Sequence, residues 1–424
     1  MSDLKEKLKE RWRKLKIIRP AFWWLYKRRP RKTVMRMRVR YWQNKVFPDL
    51  YRDAAQQPVN ENKAVFIELR YPEMTTNIRF LHDRMKYELH YDVESFCLDS
   101  SHKKRFETYR DLKPVVTSIA TAKYVFLTDG SVALGKLPMR PETVMVQTWH
   151  ACGAFKRFGR STAALKFGMD AKDQEKNPAY GNINFIAVSS PEVIWAYAEA
   201  MNRPKEYVHP VGVSRTDVFF SEERKKQAYD TLYEHIPAAR GKKVILYAPT
   251  YRGHIANCTT PDLLRIDQFH ETLGDEYVLV IKHHPLVKEL PPVPEDLNGT
   301  FAFDVTRTMD IDDLLITADI CITDYSSLIF EYSLFERPMI FFAYDLEDYY
   351  DWRGFYYPFE ELTPGPVCRT NEEMIDYIRH IDERFDREQV SAFRERFMSA
   401  CDGHATERTL EAVIEEGKKF NREA

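Results

Sequence analysis

The feature that most limits how this chain can fold is a repeated alternation of short apolar runs with helical stretches. From about residue 63, segments 64–69, 124–128, 144–147 and 185–188 read as strands bounded by turn or polar residues, with helical patterning between them, as at 191–201. Apolar runs separated by helices specify a parallel sheet covered on both faces. A second series follows Arg240-Gly-Lys-Lys243, with strands at 244–247, 277–282, 320–323 and 338–342. The boundary falls near 235–242. It divides the chain into a basic leader (1–45), a first domain (46–238) and a second domain (239–424), whose tail from about 371 reads as charged helix. Two doubly wound domains in tandem place ligands in the cleft where strand C-termini meet. The 424 residues are enough for both.

Charge is unevenly spread. Residues 1–45 carry 17 Lys+Arg against 3 Asp+Glu, a balance of +14, so with a whole-chain charge of −1 the remainder holds −15. Leu4, Leu8, Trp12, Leu15 and Ile18 recur at helical spacing among the basic residues, and Pro20-Ala-Phe-Trp-Trp-Leu-Tyr26 precedes Lys27-Arg-Arg-Pro-Arg-Lys32. A basic amphipathic helix beside aromatics suits the surface of an anionic bilayer. A solvated helix packed on its own domain and a nucleic-acid arm are the alternatives, and no nucleic-acid module follows to favour the latter. No apolar run approaches the roughly 18 residues of a membrane span. There is no signal-peptide core, and the six cysteines are scattered without a CxxC pair, so the expected location is the cytoplasmic side of a membrane.

Glycine is scarce, at 15 residues, and GxxxxGK[ST], HExxH and GxSxG are all absent. That removes the main support for P-loop kinase, zinc protease and serine hydrolase readings. What remains is a set of polar residues at strand ends. Gln147-Thr-Trp-His-Ala-Cys-Gly153 places His150 where α/β folds display function, as a general base or as a histidine satisfied in the sheet rim. Tyr247-Ala-Pro-Thr-Tyr-Arg252 presents Thr250 and Arg252 at another strand end. In Ile281-Lys-His-His-Pro285, Lys282 and His284 share a face if the strand continues, which would make a diphosphate clamp. In Ala318-Asp-Ile-Cys-Ile-Thr-Asp-Tyr-Ser-Ser327 a strand runs into Asp324, and Ser326 or Ser327 opens a helix that also carries Glu331. Hydroxyls and backbone N–H groups at a helix start can cap, bind phosphate, or do both. Arg353, among acids and aromatics, either pairs with them or reaches a phosphate.

Together these motifs resemble the CDP-glycerol glycerophosphotransferase family, which primes and extends wall teichoic acids. The resemblance covers about 144–370. It is carried by "QTWHACGAFKRFG", "VGVSRTDVFF" (with Gly212 and Arg215), "ILYAPTYRG", "IKHHP" and the stretch from 318 to 366, in register. It implies a GT-B-like α/β architecture, two Rossmann-like domains facing across a cleft, with a peripheral attachment to the cytoplasmic membrane face that agrees with the basic leader. His150 becomes the expected base. Lys282, His284, Ser326, Ser327 and Arg353 become the expected diphosphate ligands, with His284 and Arg353 aiding catalysis and Thr250, Arg252, Gly212, Arg215, Asp324 and Glu331 as further substrate contacts.

Where extending members carry Gly-Thr-Pro after the histidine, this chain has Ala151-Cys-Gly153. That variant, and the lack of a long extra N-terminal domain, resemble the priming members. The expected reaction transfers sn-glycerol phosphate from CDP-glycerol to an undecaprenyl-diphosphate-linked disaccharide and releases CMP. The alternatives are glycerol- or ribitol-phosphate polymerisation, a sugar-nucleotide glycosyltransferase on the same fold, and a non-catalytic membrane scaffold. No metal or cofactor is required by the sequence, although Asp324 can reach a Mg²⁺ on the diphosphate, and no nucleic-acid partner is expected.

Overall fold

The computed structural model describes residues 31–423, apart from 164, 166, 167, 169 and 254–257, and without the side chains of 31–33, 105–106, 350–353 and 420–423. The expected basic helix at 2–18 lies outside the described residues.

The first sheet has six parallel strands: β1 (Asn60–Glu68), β2 (Asp92–Cys97), β3 (Ala122–Leu127), β4 (Val144–Gln147), β5 (Phe185–Ala187) and β6 (Val208–His209), in the order β2-β1-β3-β4-β5-β6. Period-2 alternation sends Ile67, Val125, Leu127 and Met145 to one face, in a cluster with Val115, Val116 and Ile119 of helix Arg105–Ile119. Phe66, Tyr124, Phe126, Val144 and Val146 take the other face. Phe66 and Phe126 are register partners with rings stacked at 4.4 Å, a cross-strand pair that pins the alignment.

The second sheet holds β7 (Lys243–Ala248), β8 (Tyr277–Ile281), β9 (Ala302–Asp304), β10 (Ile320–Thr323), β11 (Met339–Phe342) and β12 (Val367–Cys368), ordered β12-β11-β10-β7-β8-β9 and again all parallel. Read from its other edge this is the dinucleotide-fold order 3-2-1-4-5-6. Strand order reverses between β1 and β3 in one sheet and between β7 and β10 in the other, and at such switch points a crevice opens beyond the strand C-termini.

The inner strands fall where the apolar runs predict them. β2, β6, β9 and β12 were not among the expected strands. They are short or half-exposed strands on the flanks of the sheets, and they lack a continuous apolar run to announce them.

One hydrophobic cluster runs without a break from the first sheet through Phe155 to Phe330, Phe355 and Phe359. The charged tail forms helices including Arg387–Met398 and Ala405–Glu423. The sequence grouped this tail with the second domain. The final helix instead returns to the first, where Leu410 and Val413 close the face occupied by Phe66 and Phe126. Gly212 admits the return: its φ is 94°, and a Cβ there would sit 2.2 Å from the Ala400 carbonyl oxygen.

Candidate active site

At the first switch point, β1 ends in Glu68, whose side chain is buried. Its carboxylate accepts the Thr128 hydroxyl at 3.1 Å, the Thr75 hydroxyl at 2.7 Å and the Arg70 amide at 3.1 Å. The Arg70 guanidinium donates to Asp129 Oδ1 at 2.6 Å. Beside it, β4 ends at Gln147, and the Thr148 amide donates to the Leu127 carbonyl at 3.0 Å. Trp149 then adopts a left-handed backbone, φ 56°, a strained state for a bulky residue that persists only where the surroundings fix it. Gln147 Oε1 fixes it by accepting the Trp149 amide at 3.0 Å, and the Phe158 ring stacks on the indole at 4.8 Å.

That turn delivers His150 with Nδ1 3.4 Å from Asp129 Oδ1, close enough for ion pairing but not aligned for a hydrogen bond. Burial, then the positive charges of Arg70 and Arg215, push the imidazole down to about 4. Burial pushes the Asp129 carboxyl up to about 6, against the pull of Arg70. Near neutral pH the imidazole is therefore uncharged beside a carboxylate. The neutral imidazole can act as a base, and the imidazolium formed on protonation has Asp129 as a counter-ion in place.

His150 opens onto a cleft of about 200 Å³ lined by residues 149–158 and Tyr197 from the first domain and by Ser327 from the second. The wall lies flush against the second domain because Gly153 has φ 61° and no side chain: a Cβ would come within 2.3 Å of the Phe330 ring. A larger cavity of about 640 Å³ lies in the first domain. Tyr180 in its lining packs edge-on to Trp149 at 6.1 Å.

The residues expected from sequence divide into three groups. His150 and Ser327 meet at the cleft. Ser327 precedes helix Leu328–Ser333 and makes no capping bond with its side chain, while Ser326 Oγ accepts the Leu328 amide at 3.4 Å. His284 lies on the second domain with its ring 4.9 Å from that of Tyr251, and its Nδ1 accepts the Leu286 amide at 3.2 Å. Burial and the charge of Lys156 push it down to about 4.

A second group is hydrogen-bonded or ion-paired within the protein. Arg252 makes a two-pronged contact with Asp345 at 2.7 and 3.0 Å, donates to Asp324 at 2.9 Å and to Thr250 Oγ1 at 2.9 Å, and lies over the rings of Tyr325 and Tyr349. Asp324 also accepts the amides of Thr250 and Tyr325 at 2.8 and 2.7 Å. This knot closes the second switch point from within and positions the Tyr325–Ser327 turn. Arg215 reaches across to Asp312 at 2.8 Å and Glu331 at 3.7 Å, a buried cluster next to Cys152. Gly212 serves the returning tail, as described above.

The third group holds Lys282, which departs from expectation, and Arg353. Lys282 and His284 do not form one clamp, because β8 stops at Ile281 and the strand alternation ends with it. The Lys282 ammonium turns to the carbonyls of Thr306, at 2.9 Å, and Met309. Arg353 ends helix Leu346–Arg353, and its side chain is outside the described residues. Among the described residues no cluster of three His, Cys, Asp or Glu side chains is arranged to hold a metal, and no helix is long and apolar enough to cross a membrane.

Sequence reasoning missed Glu68, Arg70, Asp129 and Lys156. The first three sit at or just beyond two strand ends, in "FIELRY" and "FLTDGS". An acid following a buried strand was the available signal. Its meaning depends on β1 and β3 being neighbours, which the sequence order does not state.

The family model described as CDP-Glycerol:Poly(glycerophosphate) glycerophosphotransferase matches residues 50–415. A teichoic acid poly(ribitol-phosphate) polymerase of Bacillus spizizenii is 36% identical over 360 residues, covering 84% of this chain and 57% of that one. A teichoic acid ribitol-phosphate primase of the same organism is 33% identical over 367 residues, covering 85% of this chain and 92% of that one. The chain thus spans little more than half of the polymerase and nearly all of the primase. Among solved structures, the wall teichoic acid polymerase TagF superposes with a TM-score of 0.71 at 22% identity, covering 92% of this chain and 97% of that one, a likeness of fold that makes the architecture GT-B-like.

Proposed function

Because the chain belongs to the CDP-glycerol:poly(glycerophosphate) glycerophosphotransferase family, we propose that it transfers a polyol phosphate from a CDP-activated polyol to a hydroxyl of a lipid-linked glycan. The observation that carries this reading is the meeting of His150, backed by Asp129, with Ser327 of the other domain across one cleft.

The acceptor oxygen attacks the β-phosphorus, the one bearing the polyol. Its proton passes to His150 Nε2. The bond from that phosphorus to the bridging oxygen breaks, and CMP leaves with the electron pair. Phosphoryl transfer asks the protein mainly for positioning and for charge stabilisation of the transferring group. Ser327 and His284 on the second domain provide polar contacts for the donor, and Arg353 is proposed as a further cation from the end of helix Leu346–Arg353. The acceptor glycan enters from the first domain, where the larger cavity adjoins the Trp149–His150 turn. Undecaprenyl diphosphate is the proposed carrier, held at an anionic membrane face by the basic leader. CDP-glycerol is the donor named by the family, and a single added unit, as in priming, is the proposed outcome. The identity to ribitol-phosphate enzymes makes CDP-ribitol the second donor to test.

CMP release with each donor and a soluble lipid-disaccharide analogue tests this. Acceptor-dependent CMP with a one-unit product, lost in His150→Ala, supports priming. Long products move the assignment to polymerisation, and no CMP from either donor sinks the reading.

A further inference from the structure

The diphosphate of the proposed donor requires a cation at the cleft, and the sequence nominated Lys282, which the fold turns away onto the carbonyls of Thr306 and Met309. A different lysine stands at the cleft. Lys156 lies on its first-domain wall, between the His150 turn and Phe158. Its backbone is pinned by an antiparallel bridge to Phe355 of the second domain. The Arg157 amide donates to the Gly354 carbonyl at 3.1 Å, and the Tyr356 amide donates to the Phe155 carbonyl at 3.0 Å. The neighbouring Phe155 is buried against Phe330, Phe355 and Phe359, with ring centroids 5.3–6.3 Å apart. In this extended strap the aromatic anchor and the lysine alternate in direction. Lys156 Nζ comes to 3.4 Å from the Tyr349 hydroxyl, on the second-domain helix Leu346–Arg353.

We propose that Lys156, carried by the first domain, is the cation that meets the diphosphate of the donor bound to the second domain. The proposal rests on reading the site as one for a CDP-activated polyol. Its ammonium would neutralise charge on the phosphoryl oxygens only when the strap joins the domains, so donor charge and domain closure favour each other. Lys156 also acts on His284. After burial, its positive charge is the second cause that pushes that imidazole down. The groups recorded around His284 are the Tyr251 ring, the Leu286 amide and Lys156.

The test uses the full chain as wild type, Lys156→Met and Lys156→Arg, with three readouts. Calorimetry with inorganic pyrophosphate reads the cation alone: affinity falling by about tenfold or more in the Met variant, with recovery in Arg, supports the proposal. The His284 titration, followed by NMR, moves up in the Met variant and not in Arg, a change that mere loosening of the strap does not predict in that pattern. Steady-state kinetics with CDP-glycerol and CDP-ribitol show a raised donor KM together with a lowered kcat. Pyrophosphate binding equal in wild type and the folded Met variant, or absent from wild type, overturns the proposal. If pyrophosphate binding depends on Lys156 while neither donor turns over in wild type, the cation assignment stands and the donor reading fails.

Discussion

A histidine that must accept a proton needs to be neutral beforehand and stabilised afterwards, and His150 meets both needs through different neighbours. Burial and the cations Arg70 and Arg215 keep it neutral, while Asp129 awaits the imidazolium. Asp129→Asn keeps the shape and removes the counter-ion, so kcat should fall on the order of 10²-fold with donor KM little changed, measured by CMP release. The Asp129 carboxyl lies at about 6, so wild-type kcat should decline as pH falls through that value, and the Asn variant should lose this limb of its pH profile. His284 gives a prediction of opposite origin. Its pKa drops from 6.5 unfolded to about 4 folded, so between those values the unfolded chain binds more protons and stability falls on acidification. In His284→Gln, urea midpoints should decline less steeply over that window. His150 was legible in the sequence because it ends a strand within a motif. Asp129 was not, because its pairing depends on which strands lie side by side.

At the scale of elements, the strand–turn junctions decide what reaches the cleft. The loop after β4 lies on the second domain because Gly153 has no side chain and a positive φ. Gly153→Ala should cost about 1–3 kcal/mol through strain and overpacking against Phe330, read as a lower Tm. Inner strands such as β3 and β10, buried along their whole length, announce themselves by composition. Lys282 shows where such reading stops: whether two residues share a face depends on where the strand ends, and β8 ends at Ile281, short of both Lys282 and His284. The hydrogen bonds that tie Arg252 to Asp324 were not legible, because strand-end polar residues look alike in sequence whether they point to a ligand or to each other.

For the molecule as a whole, the domains are joined by charge as well as by the aromatic cluster. Arg215 stands between Asp312 and the buried Glu331, whose carboxyl is pushed up by burial. Arg215→Met leaves two carboxylates without their cation and should cost about 3–5 kcal/mol in chemical denaturation. The two-sheet plan was visible in the alternation of runs and helices. The return of the last helix to the first sheet was not, since an amphipathic helix does not say which sheet it will cover.

That return has a consequence for how the chain is made. Strands of the first sheet are complete at His209, yet Leu410 and Val413, which shield Phe66 and Phe126, emerge from the ribosome some 200 residues later. At ordinary elongation rates of roughly 5–20 residues per second, one apolar face of the half-made protein stays open to solvent for about 10–40 s. The first domain therefore keeps one apolar face uncovered while the second domain is being made.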